Sequence, residues 1–385
     1  MRARLAITDG RRALLPVSDV ARSTLAIDDA DAFEAAYGVL ARVLSLERHQ
    51  ANFLAVRAGD PPIVTFRVSR ELSAPAGFRW ARAEDVPADA KADILACAAV
   101  LGFSRAGVTT PVLPERYLDR FDAWLASGAH AGMDFLARKA APRRDPALVL
   151  PGAQSVIALA TAYAADDASD PRARIARYAQ SRDYHEVIEK RLHVLKAFIE
   201  RTFSARCYNS VDTGPVLERA YAERAGLGWI GKNGLLISRT QGSYAFLATL
   251  WTTLALAPDA QHDEHCGTCD ACLTGCPTRA ITAPGFVDAR RCISYWTIEH
   301  EGALDDAPPS HGWLFGCDVC QEVCPWNRFA GSPTMAELAT KRTLTVDVAH
   351  ASDGEIDAAI AGTPLRRAGA AGLRRNVRRI LPIVE

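Results

Sequence analysis

The chain has 385 residues, 49% of them hydrophobic, which is enough for one large core or two domains. Basic and acidic residues balance at 45 each, so no global field draws the protein to nucleic acid or to a membrane, and any such surface must be local. The apolar run at 156–165 is about half of a membrane span, and the first ten residues carry no apolar run behind their arginines. These features predict a cytoplasmic protein without a signal peptide or twin-arginine leader.

Residues 1–83 read as a separate small α/β extension with no chemical motif. Leu14–Val17 and Ile63–Val68 are expected as strands, the first demoted to an edge by Pro16. Ala32–Leu46 is expected as a helix, and Gly59-Asp60-Pro61-Pro62 as a turn. Residues 84–262 alternate helical and strand patterns, as an α/β sandwich does. Ala90–Leu101 reads as a helix and Ser155–Ala160 as a buried strand. Asp183–Phe203 reads as an amphipathic helix, because Ile188, Leu192, Leu195, Ile199 and Phe203 step by three or four. A second helix is expected over Pro215–Ala225, with Pro in its first turn and Gly226 just past its end. Tyr244–Leu254 is a strand candidate. Residues 263–330 form the cysteine segment, and 331–385 read as short helices rich in Ala and Arg.

Ten cysteines are present, and eight of them lie between 266 and 324. In a reducing cytosol that clustering points to metal and not to disulfides. Cys97 and Cys207 stand apart and are expected to pack. The first run is Cys266-x2-Cys269-x2-Cys272-x3-Cys276-Pro277, the spacing of bacterial ferredoxins. Three thiolates two residues apart wrap one corner of a cubane, and the fourth, before Pro, reaches to a second cluster. Cys292, Cys317-x2-Cys320-x3-Cys324-Pro325 repeats the pattern with its first cysteine far upstream. The spacing predicts two [4Fe–4S] clusters, one on Cys266, Cys269, Cys272 and Cys324, the other on Cys276, Cys292, Cys317 and Cys320. Zinc is the plainer alternative for Cys-x2-Cys pairs, but the extra x3-Cys-Pro in each run does not suit it. Clusters of this kind carry single electrons, and the folded unit before them argues for a catalytic domain that they feed.

Four further motifs occur in order. They are Val211-Asp212-Thr213-Gly214-Pro215-Val216-Leu217-Glu218-Arg219, Ala225-Gly226-Leu227-Gly228-Trp229-Ile230-Gly231-Lys232-Asn233, the segment from Asp288 to His300 around Cys292, and the segment from Phe315 to Asn327 around the last three cysteines. Over roughly 85–385 the chain closely resembles the epoxyqueuosine reductases, which complete queuosine in tRNA. The resemblance implies an α+β architecture. A nitroreductase-like cobalamin-binding domain precedes a ferredoxin-like two-cluster domain and a short helical remnant of a HEAT-like repeat. It implies base-off cobalamin, a tRNA substrate carrying epoxyqueuosine at the wobble position, an external flavodoxin or ferredoxin reductant, and a monomer. It places the proton donor at Asp212 and cobalamin contacts at Arg138, Tyr178, Tyr184, Lys232, Ser294 and Asp318.

The cobalamin motif Asp-x-His-x-x-Gly begins at Asp183-Tyr184-His185 but meets Ile188 where Gly would stand. Epoxide deoxygenation needs two electrons and a proton for the departing oxygen, and a carboxylic acid supplies one when burial keeps its pKa up. The alternative role for Asp212 is a cap before the next helix. His300 is as suited to a structural hydrogen bond as to function. From 361 onward six arginines face one acid, Glu385, a local charge of +5 that suits a phosphate backbone or a merely solvated helix face. The remaining rivals are a reductive dehalogenase and a plain electron carrier.

Overall fold

The structure is a computed structural model that describes residues 90–163, 166–342 and 344–380, preceded by six strands at 2–6, 13–14, 22–26, 53–57, 63–67 and 80–82. Those strands form one sheet in the order 13–14, 22–26, 2–6, 63–67, 53–57, with 80–82 on 22–26. Both strands expected in the extension are represented, at Ala13–Leu14 and Ile63–Arg67. The helix expected at 32–46 and the turn at 59–62 lie outside the described residues.

The main unit is α+β. Its sheet is antiparallel throughout, ordered Cys207–Ser210, Ala245–Thr252, Ser155–Ala162, Arg105–Thr109. Ser155–Ala162 is buried at every position, because helices cover both faces. Alternation along the strand sorts its side chains. Ile157 and Leu159 meet Ile188, Leu192, Leu195 and Ile199 of the Tyr184–Phe203 helix, together with Ile94 of the Ala90–Val100 helix. Ala158 and Ala160 face Ala222, Ala225 and Leu227 on the other side. Cys97 and Cys207 are buried in the first of these cores. Burial, helped by Asp93, pushes the Cys97 thiol far up, and burial takes Cys207 to about 11, so both act as small apolar groups.

The alanine seam lets the Glu218–Arg224 helix sit unusually close to the sheet. At Gly107 a Cβ would overlap the Ala225 carbonyl oxygen, which cannot move without its helix. Gly107→Ala is therefore expected to cost about 2 kcal/mol, roughly 5 °C in Tm, by thermal unfolding. The helix begins at Glu218 and not at Pro215 as its proline suggested. Residues 211–217 instead form a loop, because the Glu218 side chain turns back to accept the Asp212 N–H at 2.7 Å.

The cysteine segment contains helices Ala271–Gly275 and Val319–Glu322, a hairpin of Ile281–Ala283 with Phe286–Val287, and a π-turn at Tyr295–Glu299. The last described helices, Asp353–Ile360 and Gly369–Ile380, pack Ile356, Leu373 and Val377 on Leu314 and Phe315. A Ser352–Glu355 capping box starts the first of them.

The arginine face expected on this segment is mostly committed elsewhere. Arg374 binds Asp353 and the Ala351 carbonyl, and Arg375 binds the carbonyls of His300 and Trp296. Arg379 reaches the Ala307 carbonyl, and Arg367 pairs with Glu299. Carbonyls that end short helices and turns need donors, and the guanidinium fork supplies several at once. Among the described residues only Arg366 and Arg378 of the six have side chains without a hydrogen bond or ion pair. No helix among the described residues is long and apolar enough to cross a membrane.

Candidate active site

The N-terminus of the Tyr184–Phe203 helix and the loop after Cys207–Ser210 meet at one place. Asp183 caps the helix by accepting the His185 N–H at 3.0 Å. Its carboxylate also holds His185 Nδ1 at 2.8 Å, which aims Nε2 at the Asp212 carboxylate, 3.2 Å away. The Tyr184 hydroxyl donates to the same carboxylate. Asp212 has φ +57°, a left-handed backbone that few residues other than glycine adopt, though Asp is among the more tolerant. Its side chain is 60% exposed.

The charges follow from these contacts. Desolvation works to raise the Asp212 carboxyl, but the His185 and Tyr184 hydrogen bonds outweigh it and hold the group below the usual carboxylate range. The sequence-level condition that burial keeps this acid protonated is thus not met; its partners ionise it. Desolvation opposes charge on His185 too, yet the two aspartates raise its pKa to about 9. At neutral pH the pair is imidazolium and carboxylate, with the shared proton on the ring.

An aromatic face flanks this pair. Tyr184 stacks on Phe246 with ring centroids 4.2 Å apart and on His185 at 4.1 Å, and Tyr178 meets Tyr184 edge-on at 6.2 Å. Both tyrosines are partly exposed. A small hollow lies elsewhere, beside Trp296, Trp313 and Arg379, and includes none of these residues.

The eight cysteines sort into two groups across the two runs. Cys272 is raised to about 11 by burial and by the charges of Cys266, Cys324 and Cys269. Cys324 rises through burial and then Cys266 and Cys269. Cys317 is pushed up to about 12 by burial and by Cys292, Asp318 and Cys276, and Cys320 by burial and then Cys317, Cys292, Asp318 and Cys276. A bound cation would reverse these shifts by ionising the thiols. Among the described residues no three such side chains draw close enough to share a single ion. Donors already point at the sulfurs. The Trp229 indole N–H lies 3.4 Å from Cys266 Sγ, the Ala280 N–H lies 3.2 Å from Cys276 Sγ, and Ser294 and Tyr295 serve Cys292. Cys269 is exposed, so the first group faces solvent.

The other expected contacts are dispersed. Tyr178 and Tyr184 stand with Asp212. Ser294 is at the Cys292 sulfur. Lys232 donates to the Gly267 carbonyl at 2.6 Å, on the loop between the first two cysteines. Asp318 is 1% exposed and accepts the Arg177 N–H at 2.7 Å; burial lifts its pKa to about 6. Arg138 ends the Asp134–Arg138 helix, exposed, with no side-chain partner among the described residues. His300 bonds the Ala303 carbonyl and Tyr295, a structural role. Sequence reasoning passed over His185 and Glu218. The polar triplet Asp183-Tyr184-His185 was visible, but only as a failed cofactor motif.

Two family models match this chain, one described as Epoxyqueuosine reductase QueG, DUF1730, over residues 143–213, the other as a 4Fe-4S double cluster binding domain over residues 265–327. The epoxyqueuosine reductase of Gloeobacter violaceus is 41% identical over 305 residues, 75% of this chain and 95% of that protein. A crystal structure of epoxyqueuosine reductase with an epoxyqueuosine-modified tRNA-Tyr stem loop matches with a TM-score of 0.68 at 30% identity, over 76% of this chain and 80% of that one. A Bacillus subtilis epoxyqueuosine reductase, solved with its catalytic loop swung out of the active site, matches at 0.67 and 29%, with the same coverage.

Proposed function

This chain belongs to the epoxyqueuosine reductase family, and from that premise we propose how its residues carry out the reaction. The enzyme reduces epoxyqueuosine in tRNA, the final step of queuosine biosynthesis. The two cysteine groups hold the two [4Fe–4S] clusters of its double-cluster domain. Cobalamin is assigned to the aromatic cluster beside Asp212, where the partly exposed Tyr178 and Tyr184 would give its macrocycle apolar contact. Bound there, and fed by the clusters, it would supply the two electrons that open the epoxide. Arg138, Lys232, Ser294 and Asp318 are assigned to its periphery, Ser294 and Asp318 from the side of Cys292 and Cys317. Residues 84–262 form the nitroreductase-like cobalamin domain, 263–330 the ferredoxin-like domain and 331–385 a short helical segment. The setting is a cytoplasmic monomer served by an external flavodoxin or ferredoxin, with electrons entering at the exposed Cys269 side.

The observation that carries the reading is the bond from His185 to Asp212. Two electrons and two protons convert the epoxide to an alkene and water. Asp212, a carboxylate at rest, takes the His185 proton across the 3.2 Å contact and passes it to the departing oxygen, and the second proton comes from solvent. Asp183 fixes the ring so that Nε2, not Nδ1, faces the reaction. The test is anaerobic enzyme with clusters and cobalamin restored, given an epoxyqueuosine-modified stem loop, followed by mass analysis of the nucleosides. Fully loaded enzyme that leaves the epoxide intact would refute it.

The tRNA surface is assigned to Arg366 and Arg378, the tail arginines whose side chains have no hydrogen bond or ion pair among the described residues. Arg366 lies near enough to Asp183 to lower that carboxyl. Arg366→Gln with Arg378→Gln is expected to weaken stem-loop binding several-fold and to reduce its salt slope by about two. Filter binding across salt concentrations checks this. Arg375→Gln is expected instead to lower Tm, because its partners are carbonyls of the fold.

A further inference from the structure

We infer that Glu218 is the latch that holds the Asp212 loop in its inward turn, a positioning residue for the reaction. The inference rests on the reading of Asp212 as the acid. The loop spans 211–217, between the last strand residue Ser210 and the first helical residue Glu218. Asp212 and Thr213 are exposed, and no strand takes up their backbone. A left-handed turn at a non-glycine residue is unfavourable and persists only when neighbours over-determine it.

The Thr213 N–H closes the turn on the Val211 carbonyl at 2.6 Å, and His185 and Tyr184 hold the Asp212 side chain, which leaves few groups to fix the loop backbone to the rest of the fold. Glu218 Oε1 accepts the Asp212 N–H at 2.7 Å and lies 3.5 Å from Ser210 Oγ. The other side chains reaching the loop backbone do so at longer range, Lys139 to the Thr213 carbonyl at 3.4 Å and Arg143 to the Gly214 carbonyl at 3.5 Å. Gly214 rests on Ser210 so closely that a Cβ would overlap its hydroxyl oxygen, so the inward position is also a packed one. The Glu218 carboxyl is itself fixed, because it opens a helix seated on the alanine seam of the sheet. A rigid element thereby sets the position of an exposed turn. The swung-out loop of the Bacillus subtilis relative is an alternative arrangement in a homologue. In this chain, leaving the inward arrangement would break the Glu218 bond to the loop backbone together with the His185 and Tyr184 bonds to the Asp212 side chain.

Burial and the charge of Asp212 raise the Glu218 pKa to about 8, so near neutrality the carboxyl is mostly neutral. An acceptor oxygen is present in either state, and the latch needs only that oxygen. This separates a latch from a proton carrier. Glu218→Ala removes the acceptor, whereas Glu218→Gln keeps it and cannot carry a proton.

The experiment compares wild type, Glu218→Ala and Glu218→Gln as loaded enzymes of equal cluster and cobalamin content. Two quantities are read: hydrogen exchange of the peptide spanning 211–217, and turnover of the modified stem loop. Glu218→Ala is expected to speed exchange by about tenfold or more and to lower kcat by a similar factor, with KM within about twofold. Glu218→Gln is expected to recover most of both losses. Wild-type exchange in Glu218→Ala overturns the latch. Slow turnover in Glu218→Gln with wild-type exchange also overturns it, since the carboxyl proton would then be what matters. The acid reading is judged separately, by Asp212→Asn, and its failure would leave the exchange result intact.

Discussion

Asp212→Asn is expected to lower turnover by at least about a hundredfold, the scale of a lost general acid, while fold and cobalamin binding persist. Asn matches Asp in size and shares its tolerance of the left-handed backbone at φ +57°. Its N–H still meets Glu218. What Asn cannot do is take the proton from His185 and pass it on. Because the proton rests on a ring with a pKa raised to about 9, activity should hold through neutrality and decline as pH rises through about 9. His185→Gln should lower turnover and abolish that decline. The same ion pair contributes stability that is fully present below the ordinary histidine value of 6.5 and is lost as pH climbs through about 9. A pH series of initial rates on the two variants checks both points. Near-normal turnover in Asp212→Asn would move the proton source elsewhere.

Cys324→Ala is expected to abolish turnover and to remove about four of about eight iron atoms, although its losses should belong to the other cysteine run. Cys324 lies in the second run but is elevated by Cys266 and Cys269 of the first. Its variant should therefore leave the same residual electron paramagnetic resonance spectrum as Cys266→Ala. Cys276→Ala should match Cys292→Ala, because Cys276 sits with Cys317 and Cys320. A Cys324→Ala spectrum that matched the Cys292→Ala class would reverse the assignment. Turnover vanishes in either class if electrons pass through both clusters in series, from the exposed Cys269 side inward.

Much of this was legible in the chain. The spacing x2, x2, x3 before Pro marks the cysteines as cubane ligands, because each run brings two or three thiolates together on a short arc and sends another to the second cluster. The periodic Ile188, Leu192, Leu195, Ile199 series gave the long helix to within one residue, and Ser155–Ala160 gave the central strand, since apolar burial repeats with the period of each element. The roles of the tail arginines needed the fold. Composition counts charges, but whether an arginine meets a phosphate or a carbonyl depends on what packs beside it. Arg375 finds carbonyls 75 and 79 residues away.

The site's protonation was likewise beyond the sequence. His185 and Asp212 are 27 residues apart, and only the meeting of a helix N-terminus with a sheet-edge loop puts 3.2 Å between them. At that distance the hydrogen bonds from His185 and Tyr184 outweigh desolvation and hold Asp212 ionised. The sequence determined which atoms can ligate, donate and accept. The tertiary structure decided which of them are neighbours, and pKa values depend on neighbours, because hydrogen bonds act only at contact and Coulomb energies weaken with distance.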